Sequence, residues 1–172
     1  VLAISGRLSR SGMGTHSSRF VTWHPDGRHL VVVMPEGTGG LELHAVDADT
    51  GDSRKLMAAP SGVRDVDPAV SPDASKLAFR RLASHSSSGI HVVDLTASLE
   101  VNGESRRLQS EEAAFFPTWT PDSREIIFAS GSDSESIRLW RTTIDGDEPR
   151  AVMQPLRASF PAVSAAGRLA LA

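Results

Sequence analysis

The chain has 172 residues, enough for one ordinary domain with a sizeable core. Its net charge of −3 speaks against a general nucleic-acid or anionic-membrane surface, which needs clustered Lys and Arg. With no cysteine there is no disulfide, thiolate metal site or Cys nucleophile, and with no tyrosine and 5% aromatics the usual base- and sugar-stacking tools are missing.

In chain order, Val1-Leu2-Ala3-Ile4 and Arg7-Leu8 read as strand material. The start at Val1, with no charged and then apolar leader, points to a processed chain or a piece of a longer one. A strand is then expected at Phe20-Val21-Thr22-Trp23, running into the turn Trp23-His24-Pro25-Asp26-Gly27. The β-branched and aliphatic run His29-Leu30-Val31-Val32-Val33 follows as a buried strand. Next comes Leu41-Glu42-Leu43-His44-Ala45-Val46, which opens with the polar/apolar alternation of a half-buried strand. The turn Asp47 to Gly51 leads to a fourth strand at Arg54-Lys55-Leu56.

The same series then starts again. First strands are expected at Asp67-Pro68-Ala69-Val70, Phe116-Pro117-Thr118-Trp119 and Phe160-Pro161-Ala162-Val163. Their turns are Val70-Ser71-Pro72-Asp73-Ala74, Trp119-Thr120-Pro121-Asp122-Ser123 and the worn Val163-Ser164-Ala165-Ala166-Gly167. Second strands are Lys76 to Phe79, Glu125 to Phe128 and Arg168 to Leu171; third strands are Ile90 to Val93 and Ile137 to Trp140. Arg106-Arg107-Leu108 and Arg150-Ala151-Val152 match Arg54-Lys55-Leu56. The period of roughly 47 residues is that of a four-stranded propeller blade.

Trp-x-Pro-Asp-Gly, an apolar strand, an apolar strand ending in Asp, then Arg-x-Leu resembles the TolB-type propeller repeat. That family's usual form is Trp-Ser-Pro-Asp-Gly followed by Ile-Ala-Phe. Trp23, Pro25, Asp26 and Gly27 match the first copy; Pro72, Asp73 and Leu77-Ala78-Phe79 the second; Trp119, Pro121, Asp122 and Phe128 the third; Gly167 marks the fourth. The resemblance implies an all-β propeller of four-stranded antiparallel blades, with three to four blades present. These are 19–57, 66–109 and 115–153, plus partial blades 1–18 and 159–172. Three closures stay open: missing blades of a larger ring, which is preferred, a homodimer of two half-rings, or a small ring completed by the N-terminal strands.

Chemical motifs are weak. Asp26, Asp73 and Asp122 occur once per repeat at equivalent turns, so they read as turn formers rather than paired acid and base. Asp47-Ala48-Asp49-Thr50-Gly51-Asp52 resembles the start of a calcium loop, but its Gly falls one place early and no closing Glu follows. The six histidines hold no i, i+4 helical zinc pair, and His44 and His91 fall at equivalent strand positions. There is no Gly-x-Ser-x-Gly elbow, and Gly37-Thr38-Gly39-Gly40 opens no helix. No metal, cofactor or catalytic residue is therefore expected.

Binding is expected on the loop-rich face opposite the Pro-Asp turns, because scaffolded loops carry function. Arg64, Arg81, His85, Glu111, Glu112, Asp133 and Arg157 are the candidates there. Trp23 and Trp119 are expected to pack between blades. The resemblance implies a non-catalytic module that binds a protein or peptide, with no nucleic-acid partner and no membrane insertion, in an extracytoplasmic compartment. The alternative is the gating propeller of a prolyl-oligopeptidase-like serine peptidase, whose Ser-His-Asp triad would lie in further sequence.

Overall fold

The computed structural model describes residues 20–37, 40–83, 87–108, 113–131, 136–153 and 161–170. The proposed partial blade 1–18 lies outside them. Every regular element among the described residues is a strand. The first blade is β1 (Val21–Trp23), β2 (His29–Glu36), β3 (Gly40–Asp47) and β4 (Ser53–Met57). The second is β5 (Arg64–Val70), β6 (Lys76–Leu82), β7 (Ser88–Leu95) and β8 (Val101–Arg107). The third is β9 (Ala114–Trp119), β10 (Glu125–Ser130), β11 (Arg138–Thr143) and β12 (Arg150–Met153). The hairpin β13 (Ala162–Val163) and β14 (Leu169–Ala170) begins a fourth.

Within each blade, neighbours in sequence pair antiparallel in the order 1-2-3-4. A single parallel bridge, Leu41 with Arg64, ties the first blade to the second. Chain order alone sets this topology, because short turns can join only antiparallel neighbours.

The period of two explains how blades stack. On β2, Val31 and Val33 face the second blade, where they meet Leu77, Phe79 and Val93. On the other face of β6 and β7, Ala78, Ile90 and Val92 meet Trp119, Ile126 and Phe128 of the third blade. Phe115, Ala129 and Leu139 carry the stack on to Leu169. The second and third blades thus bury both faces, which is why runs such as Leu77-Ala78-Phe79 and Ile126-Ile127-Phe128 are continuously apolar. Phe79, Phe115 and Phe128 are fully buried, and each such side chain contributes roughly 1.5–3 kcal/mol.

The Pro-Asp turn is built the same way four times. The N–H of Gly27, Ala74, Ser123 and Gly167 donates to the carbonyl three residues back, at 2.8–3.1 Å. These four residues have φ of 71°, 61°, 59° and 75°. The left-handed exit expected of glycine is therefore also imposed on Ala74 and Ser123, where a Cβ makes it costly. The aspartates behave as turn formers: Asp26, Asp73 and Asp122 each accept the backbone N–H two residues on through Oδ1. The Pro-Asp turn and the turn after the third strand share one face. Ala48, Leu95 and Ile144 donate to the carbonyls of Arg28, Ser75 and Arg124, which directly follow the turns.

The two motif tryptophans differ. Trp119 is 4% exposed, and its Nε1 donates to the Ala69 carbonyl of the preceding inner strand at 2.8 Å. Trp23 is 58% exposed. The expected packing role is carried by Trp119, whose indole reaches back to β5.

Candidate functional site

The first strand of each unit is the inner one. β1 contacts β5, β5 contacts β9, and β9 contacts β13. These strands carry a repeated irregularity. The ladder of β5 with β6 slips between Val66 and Ala69, and that of β9 with β10 slips across Phe116 and Pro117. At the slips, Asp67 and Phe116 take φ of 54° and 55° directly before proline. A residue before proline favours extended backbone, so both positions are strained bulges held by the surrounding blade. Proline fits there because a bulge needs no ladder donor.

Just past the bulges the inner strands line a cavity of about 170 Å³. Its walls are Val21 and Thr22 of β1, Pro68 to Val70 of β5, Pro117 to Trp119 of β9, and Val163 of β13, with Pro72 at the rim. All four units contribute, so the cavity exists only where the blades converge. Most lining side chains are apolar, yet the surface they leave open is mainly polar, and Thr22 and Thr118 bring hydroxyls to it.

Charge is gathered at the other end of the inner strands. Asp65, fully buried on β5, takes two hydrogen bonds from Arg81, from Nε and from the terminal Nη2, both at 2.8 Å. Arg81 also donates to Ser105 Oγ at 3.1 Å and stands over the Phe79 ring. Beside it, Arg80 lies 3.7 Å from Asp67 and over the Phe115 ring. Burial pulls the Arg80 guanidinium down from its ordinary value, Asp67 pushes it back up, and Arg64 adds a further downward pull. An arginine stays charged under such a shift, so the cluster is a set of buried ion pairs.

Two of the seven expected binding residues lie within the described chain. Arg81 is a strand residue of β6, and its guanidinium is committed to Asp65. Arg64 opens β5, half-buried, opposite Leu82. Those two share the charged end. His85, Glu111, Glu112, Asp133 and Arg157 lie outside the described residues.

The cavity on the turn side was missed by the sequence reading. Its signal was the proline two places before the motif's first residue, at Pro68, Pro117 and Pro161. His44 and His91 take equivalent places, opposite Val32 and Phe79, and Trp140 holds the same place opposite Phe128. His91 stacks on Phe79 at 5.7 Å between centroids. Burial, with Arg81 and Arg107 adding repulsion, lowers its pKa to about 4, so it is neutral at pH 7. These rings fill a slot in the blade.

No helix among the described residues is long and apolar enough to cross a membrane. No family model and no curated protein matches the sequence. Solved structures do match. A TolB-type protein from Agrobacterium tumefaciens superposes with a TM-score of 0.73 at 20% identity, over 86% of this chain and 51% of that one. TolB from Acinetobacter baumannii gives 0.68 at 21% identity, over 88% of this chain and 36% of that one. A puromycin-hydrolysing peptidase of Mycobacterium tuberculosis gives 0.65 at 18% identity, over 88% and 27%. The chain thus spans about half the length of the first of these and less of the others. Likeness at this identity establishes the fold, which is a TolB-like β-propeller of four-stranded antiparallel blades.

Proposed function

We propose that this chain is a non-catalytic propeller module that binds a protein or peptide at the cavity where its inner strands converge. The observation that carries the reading is the cavity itself. It is walled by all four units, and although its lining residues include valines, prolines and Trp119, the surface it exposes is mainly polar, with two threonine hydroxyls among the lining groups. A short side chain or turn of a partner fits about 170 Å³ and can hydrogen-bond the polar surface there. The walls are strands stapled by stacked blades, so the site needs little ordering on binding. The TolB-like fold supports a protein partner and an extracytoplasmic setting.

The test is selection of a displayed peptide library on the 172-residue chain, with Thr118→Trp as the filled-cavity control. Enriched peptides should bind wild type and lose at least tenfold affinity for Thr118→Trp. No enrichment, or peptides indifferent to the filled cavity, would remove this reading.

The second reading is a gating propeller fused to a serine peptidase. The structural likeness to the puromycin-hydrolysing peptidase favours it. A Gly-x-Ser-x-Gly elbow in the same reading frame would support it.

A further inference from the structure

The repeats can be compared position by position at the Pro-Asp turn, and the first copy departs from the rest. In the second copy Ser71 Oγ donates to Asp73 Oδ1 at 2.6 Å and accepts the Lys76 N–H at 2.9 Å. In the third, Thr120 Oγ1 donates to Asp122 Oδ1 at 2.6 Å and accepts the Glu125 N–H at 3.1 Å. The fourth keeps the pattern, with Ser164 Oγ accepting the Arg168 N–H at 3.1 Å. A hydroxyl at this place therefore suffices to build the turn. The first copy carries His24 there instead, and His29 where the others have Lys76, Glu125 and Arg168.

Both histidines aim at one atom. His24 Nδ1 lies 3.0 Å from Asp26 Oδ2, and His29 Nδ1 lies 2.6 Å from the same oxygen. Asp26 uses its other oxygen for the turn, accepting the N–H groups of Arg28 and His29 at 2.9 Å each. That leaves Oδ2 to the two rings. One carboxylate oxygen thus has two imidazole nitrogens before it. The rings stand edge to face, 6.3 Å between centroids, and both Nδ1 atoms lie next to Asp26 Oδ2.

We propose that His24, Asp26 and His29 form a binding site for a divalent transition metal of the zinc class. Two imidazoles and one carboxylate are a donor set such ions prefer, and a tetrahedral ion at 2.0–2.1 Å bonds spaces its ligands about 3.3 Å apart. The separations of 2.6 and 3.0 Å reach this by small side-chain rotations. The Asp26 N–H donates to His24 Nδ1 at 3.3 Å, so the metal takes the place of that contact and of the proton between His29 Nδ1 and Asp26 Oδ2. The turn supplies preorganisation, since three ligands fall within six residues of chain. His24 is nearly buried, while the Asp26 and His29 side chains are 37% and 33% exposed, so the fourth coordination position faces solvent.

The other cluster of potential ligands among the described residues makes a useful contrast. Glu36, Glu42 and His44 also lie close together. There the Lys55 ammonium already stands 3.0 Å from Glu36 and 2.6 Å from Glu42, and supplies the positive charge itself. Among the described residues no Lys or Arg ion pair falls on Asp26 Oδ2. Arg28, the neighbouring cation, is turned onto Asp47 at 2.7 Å. A helical i, i+4 search passes over this site because the turn brings His24 and His29 together at a spacing of five.

The test is calorimetric titration of the 172-residue chain with zinc chloride, repeated with His24→Ser and His29→Lys. Both substitutions are the residues that the second copy uses, so the turn survives them. The expected result is one Zn²⁺ per chain at micromolar affinity, weakened at least tenfold by either change. Tetrahedral Co²⁺ absorption in the visible should appear with wild type and vanish with His24→Ser. No binding below the millimolar range overturns the proposal. So does binding that both variants retain, which would move the ion to the Glu36 cluster or elsewhere.

Discussion

Trp119→Ala, set beside Trp23→Ala, is the most direct measure of blade stacking. The two residues are the same type at the same place in two repeats. Trp119 is buried among Ala69, Ala78, Ile90, Val92, Ile126 and Phe128, and its indole N–H bonds the Ala69 carbonyl. Truncation removes a large side chain from a packed core and leaves that carbonyl without its donor. Core Trp-to-Ala changes cost roughly 3–5 kcal/mol. Trp119→Phe keeps much of the ring but forfeits the bond, and should cost about 1–3 kcal/mol. Trp23, at 58% exposure, should lose less than ~1 kcal/mol on the same change. Urea unfolding followed by far-ultraviolet circular dichroism gives the midpoints, and an unchanged slope licenses the comparison. Equal losses at the two sites would refute the stacking argument. So would a Trp119→Ala loss under ~1 kcal/mol.

Three further outcomes follow from particular contacts. Ala74→Gly should stabilise by about 0.5–1 kcal/mol in urea titration, because a residue at φ 61° pays for its Cβ; a loss would mean the turn tolerates alanine. Asp65→Ala should cost about 3–5 kcal/mol by stranding the Arg81 guanidinium, and adding Arg81→Met should recover much of it, both read as denaturation midpoints. His91 is held near pKa 4 in the fold against 6.5 for the free side chain, so its stabilising contribution is full above pH 6.5 and is lost as pH falls toward 4. The amplitude should be on the order of 1–3 kcal/mol at pH 4, and His91→Phe, which keeps a ring on Phe79, should flatten that part of the pH–stability curve.

The sequence carried the repeat because each blade solves the same local problem. Pro72-Asp73 and Pro121-Asp122 make turns whose bonds reach only two to five residues. The apolar second strands need only period two and burial on both faces. Such short-range devices are legible in one dimension, and so are the four-stranded unit and the all-β class. Long-range meetings are not. Nothing in the residue string says that Arg81 turns onto Asp65, or that Arg80 lies buried between Asp67 and Phe115.

The cavity shows the same division. Pro68 and Pro117 were visible as letters in two repeats, yet only the left-handed bulges at Asp67 and Phe116 place them beside one another. Sequence alone determined the blade, its turns and the order of its strands, because these depend on neighbours along the chain. Tertiary structure alone decided which motif tryptophan is buried, where charge is paired, and where a partner can enter. Those depend on how one blade's face meets the next, and the stacking contacts join residues about fifty positions apart, as Trp119 and Ala69 do.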